Sequence, residues 1–248
     1  MHEGSVLYPL VNSWFEPAFG FAVPDHVLNG LLILLLLALA LPFIRRMILR
    51  SLGGEVPPVP SKFQQFLEMI TGGILDLLDD VIGHGKSKSF LPLIGALAVF
   101  IFLCNISGLF FFLAPATANP NTTFALSITA FCIYNLQGIG RHKGAYVKQF
   151  LPPAGFPLWG ALLLAIIIFP VEIISHLVRA VSLGLRLFGN ISGEHTVTAN
   201  IAGMFAPWTY VFAPWPIMLI GIIAATMQTF IFIMLLMVYI GGALAEEH

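Results

Sequence analysis

Long apolar runs that carry almost no charge recur along the chain. The run from Val27 to Ile44 holds 18 residues without a charged side chain. At about 1.5 Å per residue, a helix of that length nearly crosses a hydrocarbon layer of about 30 Å. Hydrophobic residues make up 58% of the 248 residues and charged residues only 9%, which is far from the balance of a soluble domain. The sequence therefore predicts an all-α integral membrane protein.

The apolar pattern predicts six helices within a single membrane domain, residues 1–248, which begins with an outer N-terminal segment, 1–26. Five membrane-embedded helices are predicted over residues 27–44, 91–113, 122–139, 156–203 and 215–244. The remaining helix covers 61–82, where apolar side chains recur every three or four residues and acids occupy the other face. This pattern is typical of an amphipathic helix that lies on the membrane surface.

The last two runs are too long to stand upright in a bilayer. As helices, 156–203 would extend about 70 Å and 215–244 about 45 Å, against a hydrocarbon thickness of about 30 Å. Their lengths and order predict a long, steeply tilted hairpin.

The basic residues are unevenly distributed. Nine of the eleven Lys and Arg residues lie in three places, 45–62, 86–88 and 141–148. All three fall on one side if the spans alternate, so the positive-inside rule predicts a multi-pass protein with its N-terminus outside and its C-terminus in the cytoplasm. The net charge of −1 gives nucleic acid no basic surface to bind.

A stripe of polar residues crosses the run 156–203. At 100° per residue, its members stay within a sector of roughly 80° on one helix face. The stripe consists of Glu172, His176, Arg179, Leu183, Arg186, Asn190 and Glu194. A charged side chain near the bilayer centre costs roughly 2.5 to 3.5 kcal/mol, and ionisable residues inside membranes mark proton or ion routes by default. The alternative is a set of ion pairs that hold helices together.

Three segments resemble subunit a of the rotary proton-translocating ATP synthases. They are FPVEIIS at 169–175, SLGLRLFGN at 182–190 and MQTFIFIMLLMVYIGGALAEEH at 227–248. The resemblance implies a stationary subunit beside a rotating ring of c subunits, with peripheral-stalk b subunits and the lipid bilayer as further partners, in a bacterial plasma membrane. It implies no cofactor, no metal and no catalysis by this chain, because the nucleotide chemistry belongs to other subunits.

The resemblance also implies roles for single residues. Arg186 matches the family's essential arginine, and Asn190 matches the asparagine four residues later. Glu172 matches the acid fourteen residues before the arginine, and Gln228 matches the glutamine of the last helix. Together these matches predict two half-channels that meet the c-ring on either side of Arg186.

Each predicted half-channel occupies one end of the long helix. The inner one is lined by Glu172, Ser175 and His176, and the outer one by Asn190, Glu194 and His195. A proton from outside would reach a ring carboxylate, travel round with the ring as the neutral acid, and leave by the inner path.

The outer path departs from a common bacterial pattern of the family. Nine residues after Arg186, where many bacterial members have Glu, this chain has His195, with Glu194 just before it. Gly221 stands seven residues before Gln228, where some members have His. Either Glu194 or His195 could pass protons. Because neighbours on a helix point about 100° apart, we expect Glu194 to face the ring and His195 to face the final helix beside Gly221.

Other functions remain possible at this stage. A sodium-translocating version of the same subunit stays open, because ion selectivity should rest largely on the ring's own site. A secondary transporter is the main rival class, since polar broken helices at the midplane are common there, but the sequence shows no paired repeats. An intramembrane protease is disfavoured because GEHTV is not H-E-x-x-H and NISGEH lacks G-x-S-x-G. A purely structural bundle is the third class, and measured ion flux would distinguish it from an ion-translocating protein.

Overall fold

The computed structural model describes residues 7–20, 22–52, 62–83, 85–109, 115–142, 158–204 and 214–244. These ranges contain seven α-helices: α1 Leu7–Phe19, α2 Asp25–Leu52, α3 Lys62–Ile82, α4 Ser87–Ser107, α5 Pro120–His142, α6 Leu158–Met204 and α7 Pro214–Leu244. A short 3-10 turn, Ala116–Ala118, precedes α5. Within the described ranges there is no strand.

Four helices are long and apolar enough to cross a membrane. The qualifying segments are Asp25–Pro42 in α2, Ser87–Ser107 in α4, Ile166–Glu194 in α6 and Met218–Leu244 in α7. They confirm the prediction of an all-α integral membrane protein. The predicted embedded helix 122–139 falls within α5, which is not among the four. Its Thr, Asn and Gln residues make it more polar, and it packs against both α6 and α7.

The N-terminal region holds more helix than the apolar pattern predicts. α1 lies within the segment 1–26, for which no helix is predicted, and α2 continues beyond Ile44 to Leu52. The α1–α2 link is closed by Asn12, whose side-chain Nδ2 donates to the Val23 carbonyl at 3.1 Å and whose Oδ1 accepts from the Val23 N–H at 2.8 Å. A local hydrogen bond of this kind leaves no signal in hydrophobic periodicity.

The main core lies where α3, α4, α5, α6 and α7 meet. Its fully buried side chains include Leu78, Ile94, Leu187, Phe232 and Leu236. α3 turns Ile74 and Leu78 into this core, while Phe66 and Met69 stay exposed. The predicted amphipathic helix therefore uses its apolar face, at least in part, to pack on α4 and α7.

α6 and α7 form an antiparallel pair. Arg179 contacts Tyr239, Asn190 contacts Ala224, and Glu194 contacts Gly221, so numbers rise along one helix as they fall along the other. α6 has 47 residues and α7 has 31, lengths of about 70 Å and about 46 Å. The pair is the predicted hairpin, and its tilt to a membrane remains a prediction.

Candidate functional site

α6 has a buried side and an open side. The buried side faces α5 and α7 and carries His176, Leu183, Leu187 and Ile191. The open side carries Leu177, Val181, Leu185 and Gly189, all exposed. The polar stripe follows the border between these two sides, so its members meet different surroundings.

Arg186 lies at the open edge of the stripe. Its side chain is exposed, and the described residues offer its guanidinium neither a hydrogen bond nor an ion pair. Gly189 and Gly193 follow it, one and two helical turns further along. A Cβ added to either glycine would have no atom within 4 Å. This face thus combines an unpaired cation with room for the close approach of another helix.

Glu194 lies at the opposite edge of the stripe, about 80° from Arg186 on an ideal helix. Its carboxyl group packs directly over Gly221 of α7, and the side chain of Leu109 also packs against this glycine. Any Cβ at position 221 would overlap this carboxyl group, so the contact requires glycine.

Glu194 therefore faces α7, the side that was expected of His195, and its position relative to a ring stays a prediction. The polar stripe occupies a sector of roughly 80° on α6, which is wide enough to cross the border between the buried and open sides. Glu194 lies at the same edge of the stripe as the buried His176. The complementary expectation placed His195 beside Gly221, a space that Glu194 already fills. The side chain of His195 itself lies outside the described part of the structure.

Asn190 belongs to the same end of the hairpin as Glu194. It is half-buried, and its Nδ2 donates a long hydrogen bond, 3.5 Å, to the backbone carbonyl of Ala224. Asn190 and Glu194 thus both contact α7, through residues one helical turn apart.

His176 is the centre of a second polar cluster, toward the other end of the stripe. Its Nε2 lies 3.6 Å from Oε1 of Glu172, an ion-pair separation, and its Nδ1 lies 3.3 Å from the hydroxyl oxygen of Tyr134 on α5. His176 is buried and Glu172 is half-buried. Ser175, also predicted for this path, is half-buried on the open side of the stripe.

Arg179 has a partner among the described residues, whereas Arg186 has none there. Its guanidinium lies 5.6 Å from the ring centroid of Tyr239, a cation–π contact. The Tyr239 ring in turn lies 5.6 Å from the Tyr134 ring. Both tyrosines escaped prediction, because only the tertiary packing of α5 and α7 brings their rings to α6.

Gln228 lies between the two clusters. Its residue is 3% exposed, and its Nε2 finds no hydrogen-bond acceptor among the described residues. Interpolation between the Asn190–Ala224 and Arg179–Tyr239 contacts places it opposite Arg186 and Leu187. The buried amide and the exposed guanidinium thus occupy one level of the bundle.

Apolar side chains separate the two clusters on the buried side of α6. Leu183 is 2% exposed and Leu187 is 0% exposed, and both lie between His176 and Asn190. No three His, Cys, Asp or Glu side chains in the described ranges are arranged to hold a metal ion.

Comparison with known proteins matches this chain to one family. Residues 28–241 match the family model described as ATP synthase A chain. The ATP synthase subunit a of Geotalea daltonii is 42% identical over 191 residues, which cover 77% of this chain and 78% of the relative. The ATP synthase subunit a 1 of Syntrophotalea carbinolica is 37% identical over 230 residues, which cover 93% of this chain and 89% of the relative.

Proposed function

The chain belongs to the ATP synthase A chain family, and within it we propose that the chain is the proton-conducting stator subunit that couples proton flow to rotation of a c-ring. It is a multi-pass membrane protein by its apolar helices and its relatives. Family membership alone does not identify the transported ion, the two half-channels or the role of Arg186, and these three assignments are proposed.

The guanidinium of Arg186, which has no partner in the described part of the chain, carries the proposal. Arg186 lies within the span Ile166–Glu194, where a charged group near the bilayer centre costs roughly 2.5 to 3.5 kcal/mol. A guanidinium stays protonated, so it cannot avoid this cost by losing its charge. Because the described chain supplies no anion to it, the natural partner is a carboxylate on a neighbouring subunit. The open glycine face beside Arg186 gives a c-subunit helix room to approach.

Two separate polar clusters support two half-channels. Asn190 and Glu194, with His195 next in sequence, would line the outer path. Glu172, Ser175 and His176 would line the inner path. On the buried side of α6, Leu183 and Leu187 lie between the two clusters, and on the open side the charge of Arg186 repels a passing proton.

The proposed cycle requires no covalent chemistry in this chain. A proton from the outer path neutralises a ring carboxylate, which can then turn through lipid as the acid. When a protonated carboxyl comes round to Arg186, the guanidinium favours its ionised form, and the proton leaves by the inner path. Each elementary charge that crosses 100 mV delivers about 2.3 kcal/mol to drive rotation.

The remaining assignments follow from the family and the charge distribution. We place the chain in a bacterial plasma membrane, with its N-terminus outside and its C-terminus in the cytoplasm. Peripheral-stalk b subunits are the expected stationary partners, and nucleotide chemistry is assigned to other subunits. The sequence of the partner c subunit would distinguish proton transport from sodium transport. A lone carboxylate in an apolar setting favours protons, while added hydroxyl and amide ligands favour sodium.

Replacement of Arg186 tests the proposal. We expect Arg186→Ala and Arg186→Gln to abolish ATP-driven proton pumping in inverted membrane vesicles, with normal amounts of assembled complex. Arg186→Lys should not restore pumping, because an ammonium is a more strongly hydrated charge that can lose its proton when buried. Arg179→Gln is the matched control, since Arg179 has its partner within the chain, and it should retain measurable pumping. Normal pumping by Arg186→Ala would refute the proposed function.

A further inference from the structure

Tyr134 is a buried tyrosine whose hydroxyl group meets an ionisable side chain of another helix. Its residue is 2% exposed, and it lies on α5, which packs against both α6 and α7. Its hydroxyl oxygen lies 3.3 Å from Nδ1 of His176. A buried tyrosine usually finds a hydrogen-bond partner, but an imidazole is a partner that can also carry a proton.

The two neighbours of His176 together select one tautomer of its neutral ring. Neutral imidazole has one N–H donor and one acceptor nitrogen. The carboxylate of Glu172, 3.6 Å from Nε2, attracts the proton to that nitrogen. In that tautomer Nδ1 is the acceptor, and the Tyr134 hydroxyl, 3.3 Å away, is a group that can donate to it. The phenol and the carboxylate thus hold opposite edges of one ring.

Solvent exposure increases along these three residues. Tyr134 is 2% exposed and His176 is 8% exposed, while the side chain of Glu172 is 33% exposed. These three residues thus form a line of contacts from the interior of the bundle toward the open side of α6. Arg179 on α6 and Tyr239 on α7 belong to the same region: the Tyr239 ring lies 5.6 Å from the Tyr134 ring, and the Arg179 guanidinium lies 5.6 Å from the Tyr239 ring centroid.

We propose that Tyr134 is a positioning residue of the inner path, whose hydroxyl holds His176 in the orientation and tautomer that exchange protons with Glu172. This inference rests on the proposed function and extends it, because it makes α5 a contributor to a path otherwise assigned to α6. Tyr134 itself need not lose a proton in the process.

The test removes the hydroxyl and keeps the ring. In Tyr134→Phe, ATP-driven proton pumping per assembled complex should fall about fivefold, as expected for the loss of one hydrogen bond. The midpoint of its dependence on cytoplasmic-side pH should also move by about half a unit or more, because the lost partner no longer selects the protonation state of His176. Thr129→Val is the matched control on α5. Among the described residues, the Thr129 hydroxyl bonds to the carbonyl of Ala125 in its own helix, so both the rate and the pH profile should stay unchanged.

A second pair of variants keeps the inference testable if Tyr134→Phe lowers assembly. If Tyr134 acts through His176, the double variant Tyr134→Phe/His176→Gln should pump no more slowly than His176→Gln alone. Additive losses in the double variant, or a wild-type rate and pH profile in Tyr134→Phe, would overturn it. Arg186→Ala in the same vesicles separates the two claims: if it is inactive while Tyr134→Phe behaves as wild type, only the role of Tyr134 fails.

Discussion

Arg179 and Arg186 lie two turns apart on α6, and their surroundings differ. Arg179 is half-buried against the Tyr239 ring, whereas Arg186 is exposed and has no partner among the described residues. The cation–π contact of Arg179 with Tyr239 accounts for this residue by packing within the chain. A cation at membrane depth with no partner in the described chain is stabilised by an external anion, and this difference supports the proposal that Arg186 meets the ring.

The contact between Glu194 and Gly221 yields a prediction at the same scale. A methyl group at position 221 would overlap the Glu194 carboxyl group, so Gly221→Ala must displace that carboxyl from its place on α7. We expect proton pumping per assembled complex to fall by about fivefold or more, and Glu194→Gln to lower it further by removing the titratable group.

Gly242→Ala is the control for that prediction, because a Cβ at position 242 of the same helix would meet no atom within 4 Å. It should pump at the wild-type rate. Wild-type pumping by Gly221→Ala in a normally assembled complex would show that the position of the Glu194 carboxyl is unimportant.

Sequence reasoning at the residue scale identifies the stripe but not the neighbour of each member. Helical periodicity places Arg186 and Glu194 within one sector of roughly 80°. Because the sector crosses the border of the buried face, Arg186 is exposed while Glu194 packs against α7. Tyr134 shows the same limit. It stands in a predicted span, but only the packing of α5 on α6 brings its hydroxyl to His176.

At the element scale, the lengths of the helices follow from the sequence better than their contacts do. The predicted run 156–203 corresponds to α6, Leu158–Met204, and 215–244 corresponds to α7, Pro214–Leu244, because long uninterrupted apolar runs without turn residues have few alternatives to helix. α1 is too short and its surroundings too polar for the same signal. The 3-10 turn Ala116–Ala118 also gives no signal in the apolar pattern of the sequence. In the structure, Thr117 of this turn donates a buried 2.8 Å hydrogen bond to the side chain of Asn105 on α4.

The contact between α3 and α7 gives a prediction about stability. A Cβ at Gly241 would lie 2.8 Å from the backbone carbonyl oxygen of Val81 on α3. Because a backbone atom cannot rotate away, Gly241→Ala must push the two helices apart, and overpacking of this kind costs about 1 to 3 kcal/mol.

Thermal unfolding of the detergent-solubilised complex should therefore begin at a lower temperature in Gly241→Ala than in Gly242→Ala. The second variant is a matched control, since it gains the same helix propensity and meets no neighbour. Equal unfolding temperatures for the two variants would mean that α3 does not pack on α7 as closely as described.

At the scale of the whole molecule, the described helices leave the open side of α6 uncovered. Along α6 this face carries Leu177, Val181, Leu185 and Gly189, all exposed, with Arg186 at its border. Apolar exposure suits both lipid and a partner helix, so the apolar pattern alone does not distinguish them. The charge of Arg186 favours the partner helix of the proposed function, because hydrocarbon cannot neutralise a guanidinium and a carboxylate on a c subunit can. The sequence predicts a membrane bundle with a polar stripe, and the location of the stripe relative to the uncovered face required the structure.

The central claim is that two polar paths enter the bundle from opposite sides of the membrane and do not join. Single cysteines introduced in a background without Cys104 and Cys132 test it directly, in assembled complexes within sealed vesicles of known orientation. Cysteines at positions 172 and 175 should react with a membrane-impermeant thiol reagent from the cytoplasmic side only, and those at 190 and 194 from the outer side only. If all four positions react from the same side, the chain contains one continuous pore, and the account of two half-channels separated by Arg186 is wrong.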